Sequence, residues 1–410
     1  MRLQLVDNRK VIIKNDRVII ANMDTGDSYK LSKECYKILM NAIEYNMDEK
    51  MLWDIFLERQ DKEYFQILVE QLYKHRILVK EKQKRNLYIT LSLTHRCNLN
   101  CIHCCMDASS LNDREYLDTS QWKIIIDKVI MLQPAGIILT GGEAMVRDDF
   151  FELVKYLRNH YAGEMELMTN GTLINKRNVK ELCDVFTYFS LSLDGADEES
   201  CNVIRGKGIY KRVLDSVSLL KKEGAKKISL SMIDAKPTHH LINLFEELNH
   251  NMETKALIRV FCDEGRGRRN VDTLTLESKD EYREADKVKE LKFRDRPEAF
   301  QCSAADKQYQ ISAQGKLYAC GPMEKEGYDL GDVYRIKDFT TYIEQRKYRN
   351  TIGYQNLMRL HPCESERCKE CDINVYCWSC LHERYISDVK EKTEIRCIIH
   401  KKELQSLWQD

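Results

Sequence analysis

The run Cys97-Asn98-Leu99-Asn100-Cys101-Ile102-His103-Cys104 sets three cysteines at CxxxCxxC spacing, directly behind the apolar stretch Leu87-Tyr88-Ile89-Thr90-Leu91-Ser92-Leu93. Three close thiolates can hold three irons of a [4Fe-4S] cube, and an iron left open to a small molecule makes the cube a catalytic device. No local fourth ligand stands out unless the adjacent Cys105 supplies it; otherwise Cys105 is a spare thiol. His103 reads as a packing and hydrogen-bonding residue beside the cube rather than a ligand. A second set of cysteines stands at 302, 320, 363, 368, 371, 377, 380 and 397. Cys368-x2-Cys371-x5-Cys377-x2-Cys380 alone would suit a zinc knuckle, but eight cysteines are too many for one tetrahedral zinc. Two clusters or two metals are needed to use most of them. Cys35, Cys183, Cys201 and Cys262 are scattered and read as small apolar core residues.

Composition bounds the rest. The chain has 410 residues, with 65 Lys and Arg against 65 Asp and Glu. At ~150 residues per domain this implies two or three domains, and the charge balance points to neither nucleic acid nor membrane as the main partner. Met1-Arg2-Leu3-Gln4-Leu5-Val6-Asp7 lacks the apolar core of a signal peptide, and no apolar run reaches the ~18 residues that span a bilayer. A soluble, cytoplasmic protein is expected, in which thiols serve metal or redox chemistry rather than disulfides.

The elements that must position these cysteines follow from periodicity. Val11-Ile12-Ile13 and Val18-Ile19-Ile20 flank the turn-prone Lys14-Asn15-Asp16-Arg17, a hairpin signal. Helical patterns follow from near Ser32, around Leu52, Ile55 and Phe56, and over Phe65, Leu68, Val69 and Leu72. A small sheet with three helices is a winged-helix-like arrangement over residues 1–84; a cap that merely packs on the next domain is the alternative. Lys80 to Asn86 is a charged linker. From 85 to 295 strands and helices alternate. Strands are expected at 87–93, 136–140, 164–169, 188–193, 227–233 and 256–261, with helices over Trp122, Ile125, Ile126 and Val129, over Phe150, Leu153, Val154 and Leu157, and over Leu241, Leu244, Phe245 and Leu248. Six βα repeats with right-handed crossovers imply an α/β fold, a partial (β/α)6 barrel with chemistry at the C-terminal strand ends. The cysteine triplet begins at such an end. So do Thr140-Gly141-Gly142-Glu143, Thr169-Asn170-Gly171-Thr172 and Ser190-Leu191-Ser192-Leu193-Asp194-Gly195, each a glycine beside polar side chains. Residues 296–410 lose helical periodicity and gain cysteines.

Together the CxxxCxxC triplet, the Gly141-Gly142-Glu143 turn and the rim residues resemble the radical S-adenosylmethionine (SAM) superfamily. The resemblance implies Cys97, Cys101 and Cys104 as ligands of a SAM-binding [4Fe-4S] cluster and Gly141, Gly142 and Glu143 as the motif receiving the SAM amino group. It places Ser192, Asp194 and Arg205 near the SAM ribose and carboxylate. The C-terminal region resembles the SPASM extension: Cys302, Gly315-x4-Cys320, Cys368-x2-Cys371-x5-Cys377, Cys380 and Cys397 follow its order, approached through Gly265-Arg266-Gly267-Arg268. Cys377 and Cys380 are separated by two residues where three is usual. The resemblance implies two auxiliary clusters, hence three [4Fe-4S] clusters in all. Cys302, Cys320 and Cys380 fall to the first and Cys368, Cys371, Cys377 and Cys397 to the second. Either Cys363 completes the first or that cluster keeps an open iron. Residues 1–84 look like a RiPP recognition element, which binds the leader of a ribosomally made precursor by strand addition.

These resemblances imply an enzyme that modifies a precursor peptide through a 5′-deoxyadenosyl radical, fed by an electron donor such as flavodoxin or ferredoxin. A thioether from cysteine sulfur to carbon, as in sactipeptide and ranthipeptide maturases, is the favoured product, with a carbon–carbon cross-link as runner-up. A sulfatase-maturing enzyme is disfavoured, because Gly321 stands where that family commonly places an aspartate base. An iron–sulfur or zinc scaffold that binds peptides without catalysis is the alternative from another class, and it has no need of the Gly-Gly-Glu rim. Tyr376 and Trp378 are expected to shield a cluster.

Overall fold

A computed structural model describes residues 2–80, 86–109, 115–276, 301–377 and 380–389, with positions 299, 397, 398, 401, 404 and 408. The chain forms two compact units: Met1–Arg85 with Lys292–Ser303 and Gln355–Asp410, and Asn86–Leu291 with Ala304–Tyr354. Most of the Lys80-to-Asn86 linker, and Trp378, lie outside the described residues.

In the first unit β1 (Arg9–Lys14), β2 (Arg17–Asn22) and β3 (Ser28–Ser32) form an antiparallel sheet in that order. The β1–β2 turn places Asn15 at φ 54°, the left-handed region that Asn tolerates. Alternation sends Val18, Ile20 and Leu31 to one face. There they join Leu39, Leu52, Phe65, Leu68 and Leu72 in a buried cluster. The last five come from α1 (Lys33–Glu44), α2 (Glu49–Asp54) and α3 (Arg59–Lys74). The Ser32 side chain caps α1 by accepting from Cys35 N, and that of Asp48 caps α2 by accepting from Met51 N.

The second unit contains β4 (Tyr88–Ser92), β5 (Gly136–Thr140), β6 (Glu164–Thr169), β7 (Tyr188–Ser192), β8 (Ile228–Asp234) and β9 (Lys255–Val260), each parallel to the next. The crossover helices Thr119–Met131 and Phe150–His160 bury the expected apolar stripes, Trp122, Ile125, Ile126 and Val129, then Phe150, Leu153, Val154 and Leu157. The stripe over Ile242–Asn251 is weaker. Of its four expected residues Phe245 is buried and Leu244 is 46 % exposed, because this helix flanks β9, an edge strand whose own residues are largely open.

The strand periodicity of the sequence does not reveal β10 (Gln308–Ile311) and β11 (Leu317–Tyr318). Strand β10 pairs parallel to β4, Gln308 opposite Tyr88 and Ile311 opposite Leu91, and β11 pairs antiparallel to β10. The sheet therefore runs β11-β10-β4-β5-β6-β7-β8-β9. Helical periodicity also persists beyond residue 296, contrary to the sequence reading: Phe339–Glu344, Ile352–Leu360 and Leu381–Val389 are short helices.

Candidate functional site

The C-terminal ends of β4 to β7 carry the predicted rim residues, and backbone hydrogen bonds tie the first two of those ends together. Gly142 N donates to Thr94 O and Glu143 N to Arg96 O, both at 2.8 Å, so the turn after β5 is stitched to the chain entering the cysteine loop. A Cβ on Gly142 would lie 2.3 Å from Arg96 O, which only glycine avoids. The Glu143 side chain is fully buried and turned inward. Its carboxylate accepts from Thr169 Oγ1 at 2.9 Å, Asn170 N at 2.8 Å and Met145 N at 3.2 Å. Burial raises its pKa, and these donors oppose the shift. Glu143 thus fixes the β6 rim against the glycine turn.

At the β7 rim Asp194, fully buried and at φ 52°, gathers four groups. Arg205 donates through Nε at 2.8 Å and pairs through Nη2 at 2.6 Å; Arg259 Nη2 donates at 3.1 Å, Ile233 N at 2.8 Å, and His103 Nε2 lies 3.3 Å away. Burial pushes the Asp194 carboxyl up, but Arg205, His103 and Arg259 outweigh it and hold the group well below the usual carboxylate range. Burial holds His103 down to about 4, so the ring is neutral at pH 7. Ser192 is half-buried at the end of β7.

The same rims hold the cysteine loop. Asn170 Nδ2 donates to Asn98 Oδ1 at 2.9 Å and sits 3.9 Å from Cys97 Sγ, while Asn98 Nδ2 donates to Thr172 Oγ1 at 2.9 Å. Arg205 Nη1 lies 3.9 Å from Cys101 Sγ, and Leu99 N lies 3.4 Å from Cys97 Sγ. Behind the loop Arg266 N donates to Cys104 O at 2.9 Å and its Nε to Cys101 O at 3.0 Å. Gly265, at φ 54°, brings its backbone so close that a Cβ would lie 2.5 Å from Cys105 O. Cys97 and Cys101 are buried and Cys104 half-buried. Burial pushes the Cys97 thiol up to about 11, and Glu143, Cys101 and Cys104 add to the rise. Three mutually repelling sulfurs beside a buried carboxylate suit a soft, cationic metal group, whose thiolate ligands it would stabilise. The N–H groups aimed at Cys97 and Cys101 are of the kind that tune an iron–sulfur potential. The donor set therefore fits a cluster held by Cys97, Cys101 and Cys104.

Residues 91–248 match the family model of the Radical SAM superfamily. This region is similar to radical SAM domains. That superfamily uses a [4Fe-4S] cluster and SAM. The mycofactocin maturase MftC of Mycolicibacterium smegmatis is 31% identical over 180 residues, 44% of this chain and 45% of that protein. The chain thus matches less than half the length of that maturase. The antilisterial bacteriocin subtilosin biosynthesis protein AlbA of Bacillus subtilis is 26% identical over 314 residues, 72% of this chain and 67% of that protein. In fold the chain is similar to Streptococcus suis SuiB, solved with bound S-adenosylmethionine, at TM-score 0.56 and 14% identity over 93% of this chain and 96% of SuiB. SuiB has also been solved bound to its precursor peptide SuiA, at TM-score 0.54.

Outside residues 91–248, Cys363, Cys368, Cys371, Cys377, Cys380, Cys397 and Cys302 are half-buried members of the first unit, and half-buried Cys320 follows β11 in the second. Residues 361–377 form a knuckle of short turns, with Cys368 N donating to Ser365 O and Cys371 N to Cys368 O, both at 2.9 Å. Arg384 Nη1 lies 3.4 Å from Cys368 Sγ, and Asn374 Oδ1 lies 3.9 Å from Cys363 Sγ while its Nδ2 donates to Cys368 O at 3.1 Å. Burial pushes the Cys363 thiol up to about 12, opposed by Lys10 and reinforced by Glu364 and Cys368. Asn374 thus links the Cys363 thiol to the backbone of Cys368. The scattered cysteines are not all apolar core: Cys35 and Cys201 are buried, but Cys262 is half-buried with its thiol 3.4 Å from Glu264 Oε2. Sequence reasoning missed Asn98, Arg259 and the loop-bracing role of Arg266. Arg259 has no motif around it, while Arg266 stood in a recognised stretch whose local role only the fold reveals.

Proposed function

We propose that this chain is a radical SAM maturase of a ribosomally synthesised precursor peptide, forming thioether cross-links from cysteine sulfur to carbon. The observation that carries the reading is the joining of the Cys97/Cys101/Cys104 loop to the Glu143 and Asp194–Arg205 rims at the C-terminal ends of one parallel sheet. Cys97, Cys101 and Cys104 would hold the cluster, which with bound SAM would supply radical chemistry able to remove an unactivated hydrogen. The chain's own residues do the rest. Gly141 and Gly142 let the turn pack directly against the backbone of Thr94 and Arg96 at the entrance to the loop, while Glu143, Asn170 and Asn98 hold that loop in place. The Asp194–Arg205–Arg259 network fixes the β7 rim where Ser192 and Asp194 would meet SAM. Burial of Cys97 and Cys101 keeps water from the sulfurs.

The sheet and helices of residues 1–80 support a RiPP recognition element that adds the precursor's leader as a strand. The knuckle and its flanking cysteines support a SPASM domain with two auxiliary clusters, Cys368, Cys371, Cys377 and Cys397 on one and Cys302, Cys320 and Cys380 on the other. Either Cys363 completes the latter set or that cluster keeps an open iron. A flavodoxin or ferredoxin is the proposed electron donor, in the cytoplasm; among the described residues no helix is long and apolar enough to cross a membrane. Anaerobic incubation with SAM, reductant and a short cysteine-containing peptide encoded beside the gene tests the reading by mass spectrometry. Loss of two hydrogens per cross-link is expected; an unmodified peptide alongside active SAM cleavage would overturn the substrate assignment.

A further inference from the structure

The face of the N-terminal sheet opposite its helices has an occupant within the same compact unit. Strand pairing puts Lys10, Ile12 and Lys14 on this face with Ala21, Ile19 and Arg17, then Ser28 and Lys30. An open sheet face would expose its apolar members, yet Ile19 and Ala21 are 3 % and 0 % exposed. The polar members reach the cysteine knuckle. Lys10 pairs with Glu364, Lys14 pairs with Asp372, and the Tyr376 hydroxyl donates to Ser28 Oγ at 2.8 Å. Trp408 closes the contact, its Nε1 donating to Asp372 O at 3.0 Å and its ring centroid 5.6 Å from Lys14 Nζ.

The register of these anchors is informative. Glu364 follows Cys363, Asp372 follows Cys371, and Tyr376 precedes Cys377. Each anchored residue is thus the chain neighbour of a cysteine. Apart from the single turn Asn374–Tyr376, the knuckle has no helix or strand among its described residues. Its cysteines must be ordered by what they bind and what they pack against.

We propose that the outer face of the β1–β2–β3 sheet is the platform that holds the Cys363–Cys377 knuckle in register for metal, so that knuckle metal and the order of the N-terminal module depend on each other. The inference rests on the reading of the knuckle as a metal site and goes beyond it by coupling that site to the module proposed to take the peptide. Coupling of this kind is reciprocal: metal steadies β1, and β1 steadies the metal. A precursor would then be captured well only by protein already loaded with metal.

The test uses the full chain after anaerobic reconstitution, with metal counted during a chelator challenge and amide exchange followed strand by strand. K10E/K14E is expected to release knuckle metal several-fold faster than wild type, and the charge-swapped K10E/K14E/E364K/D372K to restore slow release. C368A/C371A is expected to speed exchange of the β1 amides several-fold while β5 to β7 stay as protected as in wild type, which guards against global misfolding. Wild-type release from K10E/K14E, failure of the swap to restore it, or unchanged β1 exchange in C368A/C371A would each overturn the coupling. These readouts use no peptide and count metal of any kind. Zinc in the knuckle would therefore weigh against the iron-based enzyme reading while leaving the coupling intact.

Discussion

Two cysteine-rich stretches of this chain look alike in spacing and are built differently. The Cys97–Cys104 loop hangs from the ends of parallel strands and is braced by fully buried charges, Asp194 and Arg205 on one side and Glu143 on the other. The Cys363–Cys377 knuckle is a chain of turns braced by half-exposed ion pairs, one amide side chain and Arg384. A site that must present an open iron to a substrate benefits from a scaffold whose geometry does not depend on the metal. A site that only stores or passes electrons can let the metal organise the protein.

The largest test of this contrast is removal of the proposed ligands themselves. Cys97→Ala, Cys101→Ala or Cys104→Ala is expected to bring 5′-deoxyadenosine formation below detection by chromatography. Cys368→Ala should leave slow SAM cleavage in place, and its abolition would erase the distinction. Next comes Arg205→Ala, which strands the Asp194 carboxylate in the interior. Breaking a buried pair by deleting one partner costs about 3–5 kcal/mol, read as a shift in the denaturant midpoint, with Arg205→Lys recovering part of it. Because the folded Asp194 titrates below its unfolded value, its contribution is present above about pH 4 and fades as the pH falls further. The stability gap between wild type and Asp194→Asn should therefore narrow in acid.

At the knuckle, Arg384→Ala removes a hydrogen bond from a charged donor to the Cys368 sulfur, worth about 1.5–3 kcal/mol. Iron or zinc retention after a chelator challenge should fall more than global stability does. Gly142→Ala forces a methyl against Arg96 O at a cost of about 1–3 kcal/mol. It should weaken SAM binding, measured by calorimetry, while leaving knuckle metal untouched. The smallest effect belongs to Arg59→Ala, which deletes the exposed pair with Glu63 and should change thermal stability by only about 0.3–0.5 kcal/mol.

Much of the second unit was legible because its information is local. Each of β4 to β8 is short and either mostly apolar or alternating apolar with polar residues, and Trp122 to Val129 or Phe150 to Leu157 repeat with a helix's period, so the elements declare themselves one by one. The cysteine loop and the glycine turn could be placed on the same rim for that reason. Arg205 was placed by the family resemblance alone, whereas Arg259 comes from an edge strand whose residues are largely exposed. Strand β10 was hidden because four residues of mixed polarity take their meaning from a distant partner. The inward turn of the Glu143 carboxylate was hidden too, since the Gly-Gly-Glu spacing says that the residues meet a ligand but not which atoms face it. Nothing in the alternation of Lys10, Ile12 and Lys14 announced that the sheet's second face is covered by cysteine-flanking residues.

The pairing of β10 with β4 also bears on how the protein comes to be made. The strand that leads into the Cys97–Cys104 loop emerges from the ribosome early, yet one of its edges stays unpaired until Gln308–Ile311 arrives. Contacts of such long sequence separation form slowly, because loop-closure entropy is lost before any bond compensates for it. Through that interval β4 is an open edge, prone to pair with another chain. Maturation is therefore a matter of timing: iron supplied before residues 308–311 have closed the sheet meets a half-built site.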